Sequence, residues 1–210
     1  MKRKILSILL VLAACLPFVA CEDELDIAKK GDMGSQDTYY KTDDDALAAV
    51  SGAYYYWFYN FNGLTWTANM LSDDIYCGGS TAGDDPDYHD LNNYTVNAEN
   101  GRVETDYSEL YNLIYASNLV IEKVGRFTEQ NPETEVKRRC VAEAYFFRGF
   151  AHFWLAAFWG TPPVVDHLLQ PEEYQVKNSQ PGECMEQAAK DIKHAIDMNA
   201  LKSKSGPEDK

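Results

Sequence analysis

The residues best able to do chemistry in this 210-residue chain are four histidines, five cysteines, 33 acidic residues, 14 tyrosines and four tryptophans. His89, His152, His167 and His194 have no paired spacing of the kind that brings two imidazoles to one metal, so no metal is assigned. His152 lies among aromatic residues in a predicted helix, where a packed imidazole is the simpler reading. The run Asp84 to Asp90 has carboxylates that could wrap a hard cation. However, His89 and Asp90 stand where a calcium loop of a helix-loop-helix sensor needs an oxygen ligand and a turning glycine, and the run reads as a solvated acidic loop. There is no Gly-rich phosphate loop, no GxSxG elbow and no Cys/His pair. Paired carboxylates are commonplace in so acidic a chain, so no catalytic residue, enzyme activity or cofactor is expected.

Two other groups of residues carry a positive signal. The first is aromatic. Trp66, Tyr76, Tyr88 and Tyr94 lie among Asp, Asn and Ser, with Asp73, Asp74 and Asn93 close in sequence. Flat rings beside hydrogen-bonding side chains suit sugars, whose C–H faces stack on rings while their hydroxyls seek carboxylates and amides. These seven residues form the candidate ligand site. Loop aromatics can equally serve to pin a loop to its domain.

The second is a thiol near the start. Lys2, Arg3 and Lys4 precede an apolar run from Ile5 to Val19, then Ala20 and Cys21, the pattern of a cleaved export signal. The run is shorter than the roughly 20 apolar residues a membrane span needs. A cysteine freed at the new N-terminus can carry a diacylglyceryl thioether, and two or more acyl chains hold a protein durably on a membrane. Cys21 is the expected lipidation site. Leu12-Ala13-Ala14-Cys15 fits the local cleavage pattern better, but cutting there would strand Leu16 to Ala20 on the mature protein. Loss of residues 1–20 leaves 16 basic against 33 acidic residues, a net charge of −17. No nucleic-acid partner is expected, because phosphate binding needs a basic face.

The elements that must position these groups are helices. Residues 21–41 read as an acidic tether, and 42–210 as one helical domain. Thr42 before Asp43-Asp44-Asp45 marks a helix start, and Ala46, Val50, Ala53 and Trp57 continue at helical spacing to about Asn60. From Asn62 to Glu104 the pattern dissolves into a long loop with turn signals, of the sort that tends to be functional. Leu64 to Ile75 could be helical or extended. A second helix begins near Thr105 and stops at Gly125. A third is capped by Asn131-Pro132 and ends at Gly160. A fourth follows Pro181. Cys140 and Cys184 fall on apolar faces, where a free thiol fills core, and Arg148, inside an apolar segment, requires a carboxylate or carbonyl partner if buried. Tyr107, Tyr111, Phe147, Trp154 and Phe158, at helical spacing, are expected in the core. No stretch alternates as strands do, so the expected fold is all-α, built of antiparallel helix pairs with irregular repeats.

Four segments together resemble the RagB/SusD family of nutrient-uptake outer-membrane lipoproteins: CEDELD from Cys21, YYKTDDDALAAVSGAY from Tyr39, YNLIYASNLVIEKV from Tyr111, and AEAYFFRGFAHFWLAAFWGTPPVV from Ala142. The resemblance implies irregular tetratricopeptide-like helix pairs and a non-catalytic role. Such a protein captures glycans, or sometimes peptides, at the cell surface and sits as a lid on a SusC-like TonB-dependent transporter. The acidic run after Cys21 resembles the signal that sends such lipoproteins outward. The alternative is a helical-repeat surface lipoprotein that holds a peptide or a protein. Gly149 departs from the family's usual Ala after the Arg, at a cost of about 1 kcal/mol in a helix unless close packing requires it. The chain is also much shorter than family members, so it is expected to hold the N-terminal helical region without the C-terminal part.

Overall fold

The structure, a computed structural model, describes residues 39–201 apart from 80 and 82. The export signal, Cys21 and most of the acidic tether lie outside the described residues. Among the described residues five α-helices follow one another: α1 (Asp43–Met70), α2 (Pro86–Asn92), α3 (Gly101–Leu119), α4 (Glu135–Trp159) and α5 (Glu183–Asp197). Among the described residues there is no strand, and one isolated bridge pairs Thr128 with Asn131. The fold is all-α and tetratricopeptide-like. Helices α3 and α4 run antiparallel, as do α4 and α5, because contacts advance along one helix as they retreat along the other: Tyr145 meets His194, Arg148 meets Asp191, and Cys184 reaches the carbonyl of His152.

Helix α1 begins as expected. The Thr42 hydroxyl accepts the Asp45 amide at 3.1 Å and the Asp45 carboxylate accepts the Thr42 amide at 3.0 Å, a reciprocal cap. It does not stop near Asn60. Asn60 is buried, and its side-chain amide donates to the Tyr56 and Glu109 carbonyls, both at 2.9 Å, so a residue that reads as a breaker ties α1 to α3. The buried stripe then continues through Leu64, Thr67 and Met70. Helix α2 and the first turn of α3 also fall inside the span read as loop, leaving 71–85 and 93–100 irregular. Helix α3 starts at Gly101, with the Asn100 side chain accepting the Arg102 and Val103 amides at 3.1 Å.

Helix α3 passes into a wide turn over Val120–Val124 and stops at Gly125, where a Cβ would run into the Ile121 carbonyl. The cap of α4 is Thr134, not Asn131: its hydroxyl accepts the Lys137 amide at 3.1 Å and donates to Asp43 Oδ1 at 2.6 Å. Asn131 serves the connection instead. Its amide donates to the Val124 and Arg126 carbonyls, and its oxygen accepts from the buried Lys137 Nζ at 2.7 Å. Two hydrogen bonds to carbonyls and one from an ammonium hold it more firmly than a single cap bond would.

Helices α4 and α5 make the closest packing. A Cβ on Gly149 would lie 2.8 Å from Ile192 Cγ1 and 3.0 Å from the Ala188 carbonyl, so the glycine is the residue that lets the backbones approach. Beside it Arg148, 4% exposed, grips Asp191 with two bonds of 2.8 and 2.6 Å and donates to Asn118 Oδ1 at 2.7 Å and to the Asp166 carbonyl at 2.5 Å. Asn118 returns two bonds to the Val165 and His167 carbonyls. His152 is fully buried. Its Nε2 accepts the Val165 amide, which leaves the proton on Nδ1 for the Arg148 carbonyl at 3.0 Å. Burial lowers its pKa from 6.5 to about 4, against the pull of Asp191. One polar knot therefore joins α3, α4, α5 and the segment after Gly160. Cys140 and Cys184 are buried free thiols, each pushed up to about 11 by desolvation.

Candidate functional site

The region between α1 and α3 has a small core of its own, made by Met70, Cys77 and Leu91 with Leu71, Ile75, Tyr88 and Val103 packed on it. Asn92 holds the extended segment to α2: its Oδ1 accepts the Cys77 amide at 3.2 Å and its Nδ2 donates to the Ile75 carbonyl at 3.4 Å. The Asn100 side chain reaches back to the Asp87 carbonyl at 3.0 Å. An apparently structureless stretch is thus a compact unit, anchored by side-chain amides where a sheet would use backbone.

This unit opens a cleft of about 500 Å³ lined by Trp66, Met70, Tyr76, Asp84, Asp85 and Tyr88, among others. Trp66 comes from the last turns of α1 and Tyr88 from α2, with ring centroids 6.4 Å apart and planes inclined by 49°. The Arg102 guanidinium, on α3, lies over the Tyr88 ring, 4.7 Å from its centre. Burial raises the Tyr88 hydroxyl pKa, partly offset by Arg102, so the phenol stays protonated and able to donate. Tyr76 stands 82% exposed and Trp66 46%, which leaves ring faces available to a ligand. The arrangement offers flat apolar faces, a phenol donor and carboxylate acceptors on one rim.

Of the seven residues expected at the site, Trp66, Tyr76 and Tyr88 line the cleft. Asp73 and Asp74 sit on the exposed turn after α1, where the Asp74 amide bonds the Ser72 hydroxyl. Asn93 is the exposed C-cap of α2, one position past the asparagine that holds the segment together. Tyr94 has φ 56° and donates its hydroxyl to the Leu71 carbonyl at 3.0 Å, pinning the connection. The carboxylates on the cleft are instead Asp84 and Asp85, part of the run weighed above for calcium. From Pro86 that run is helical, and among the described residues no group of three potential ligands converges on a cation position. Arg102 was not singled out, because nothing in its own neighbourhood announces that α3 carries it to Tyr88.

This geometry stands on a chain whose family is clear. A family model described as starch-binding and associating with the outer membrane matches residues 37–208, and the chain belongs to that SusD-like family. A SusD-like protein of Bacteroides ovatus is 27% identical over 176 residues, covering 82% of this chain and 30% of that protein. A SusD-like protein of Formosa agariphila, P2, is 26% identical over 169 residues, or 80% of this chain and 32% of its own length. Among solved structures, a SusD-like protein of Bacteroides fragilis superposes with a TM-score of 0.63 at 22% identity over 83% of this chain and 32% of that one. A SusD-like carbohydrate-binding protein of the same species gives 0.53 at 17% identity over 77% and 32%. These likenesses show the fold. The chain spans about a third of the length of the relatives it matches.

Proposed function

We propose that this chain is part of a cell-surface receptor that binds a glycan at the Trp66–Tyr76–Tyr88 cleft and delivers it, without catalysis, to a TonB-dependent transporter of the SusC type. The observation that carries the reading is the cleft itself: exposed aromatic faces, a protonated phenol and carboxylates within one opening. Sugars need that combination, because a pyranose presents C–H faces to rings and hydroxyls to acceptors and donors. The family's description as starch-binding and outer-membrane-associated, and the carbohydrate-binding relative from Bacteroides fragilis, support the same ligand class and location.

In this reading residues 1–20 are an export signal, Cys21 carries the lipid, 21–41 form a tether, and the helical domain from 42 onward is held at the outer face of the outer membrane. The test is calorimetry of the chain from residue 22 against soluble polysaccharides and unrelated peptides. Saturable binding of a glycan is expected. Binding of peptides with no glycan bound would replace this reading with the peptide-binding one.

A further inference from the structure

A second cavity, of about 170 Å³, shares no lining residue with the cleft. Leu91 and Val103 come from α2 and α3, Phe158 and Trp159 from the end of α4, and the polar lining is Thr67 and Asp106. Asp106 is only 4% exposed, and its Oδ2 accepts the Thr67 hydroxyl. It takes part in no ion pair among the described residues. Arg102, four residues before it on α3, attracts it from a distance but lies over the Tyr88 ring and makes no ion pair with it. Space for the carboxylate is made deliberately: a Cβ on Gly63 would come within 2.6 Å of Asp106 Oδ1, so α1 carries a glycine in mid-helix where the acid approaches.

A carboxylate taken out of water with one hydroxyl for company is costly unless a counter-charge joins it. Burial accordingly raises the acid's pKa, against Thr67 and Arg102. The cavity supplies room for the missing charge. Two aromatic rings in edge contact, with centroids 5.7 Å apart, form part of its wall, and such faces also attract cations. Leucine and valine cover the rest, which suits a methylene stem and not a hydrated inorganic ion.

We infer that the Thr67–Asp106 cavity is a binding site for a primary ammonium group on an aliphatic stem, with Asp106 as its counter-ion. The same chemistry is offered by a lysine side chain of a partner polypeptide and by a free alkylamine.

The test follows Trp159 Nε1–H and Thr67 amide shifts by NMR in the whole chain, titrated with n-butylammonium, with n-butanol as the uncharged probe. A saturable shift is expected with butylammonium and roughly tenfold weaker binding with butanol, the ratio a charge-assisted hydrogen bond confers. Asp106→Asn, which keeps an acceptor for Thr67, is expected to erase the difference between the probes. Val96 lines the same cavity at 39% exposure, and Val96→Trp is expected to block both probes without touching the acid. Equal binding of the two probes, no saturable shift, or full butylammonium binding by Asp106→Asn would each overturn the assignment. Nα-acetyl-lysine methylamide separates the sources: affinity at or above that of butylammonium assigns the site to a polypeptide lysine, and clearly lower affinity assigns it to a free amine.

Discussion

Removing one member of the Arg148–Asp191 pair tests how the helix pairs are fixed to one another. Both side chains are buried, with 5% and 1% of their surfaces exposed, and they share two short bonds. Asp191→Leu would leave the guanidinium with Asn118 Oδ1, the Asp166 carbonyl and the Tyr145 ring, and Arg148→Met would leave a buried carboxylate with no hydrogen-bond donor among the described residues. Breaking a buried pair from one side costs about 3–5 kcal/mol. That is a large part of the roughly 5–15 kcal/mol that stabilises a domain, and at about 2–4 °C per kcal/mol for this size it lowers Tm by roughly 6–20 °C. The double variant Arg148→Met/Asp191→Leu removes both charges and is expected to cost no more than either single change, because apolar replacements of a buried pair are often near neutral. The assay is urea unfolding followed by far-ultraviolet circular dichroism for wild type, both singles and the double. Single costs below about 1 kcal/mol, or costs that simply add in the double, would refute the claim that these two charges act as one couple sealed between helices.

Three further outcomes follow from the same geometry. Gly149→Ala gains about 1 kcal/mol of helix propensity but forces a methyl onto Ile192 and the Ala188 carbonyl; overpacking of this kind costs about 1–3 kcal/mol, so a net loss in the urea midpoint is expected, where a gain would show that α5 yields freely. His152 is held neutral with a folded pKa of about 4 against 6.5, so the folded state binds fewer protons and stability falls as pH drops from 6.5 toward 4, by about 3 kcal/mol in all; His152→Gln is expected to lose that portion of the slope, and an unchanged slope would contradict it. Asp106 and Glu143, with raised pKa values, act in the opposite sense, which is why the comparison with the variant matters. Cys140 and Cys184, buried and pushed up to about 11, are expected to resist a thiol reagent until the chain unfolds; rapid labelling of the native protein at either position would show local opening.

Four of the five described helices were legible in type and order because apolar residues recur at helical spacing, most sharply in α5, and because Thr42-Asp43-Asp44-Asp45 states a cap in four residues. Arg148 and His152 could be placed from context, since a guanidinium or an imidazole in an apolar helix must find partners. What could not be read were features decided by distant residues. Asn60 and Gly63 look like terminators, yet Glu109 and Asp106, more than 40 positions on, give each a reason to sit inside a helix. In the cleft, ring type and polar neighbours in sequence marked Trp66, Tyr76 and Tyr88, while Asp73 and Asp74 lie on the turn after α1 and do not line it: Asp84 and Asp85 reach the opening through the turn before α2, whose first residue follows a left-handed Asp85 at φ 54°. Asn92 and Asn93 show the same limit. They are neighbours in sequence about 100° apart around a helix, so one holds the segment and the other faces solvent.

The most direct test of the central claim is the affinity of the intact chain for its glycan before and after Trp66→Ala, measured by calorimetry alongside Tyr94→Ala. Trp66 offers an exposed ring on the cleft, and Tyr94 pins the connection outside it. Loss of the stacking face is expected to weaken binding by roughly tenfold or more, about 1.4 kcal/mol or above, in Trp66→Ala, with Tyr94→Ala near wild type in affinity. Unchanged affinity in a folded Trp66→Ala protein would contradict the assignment of this cleft as the sugar site.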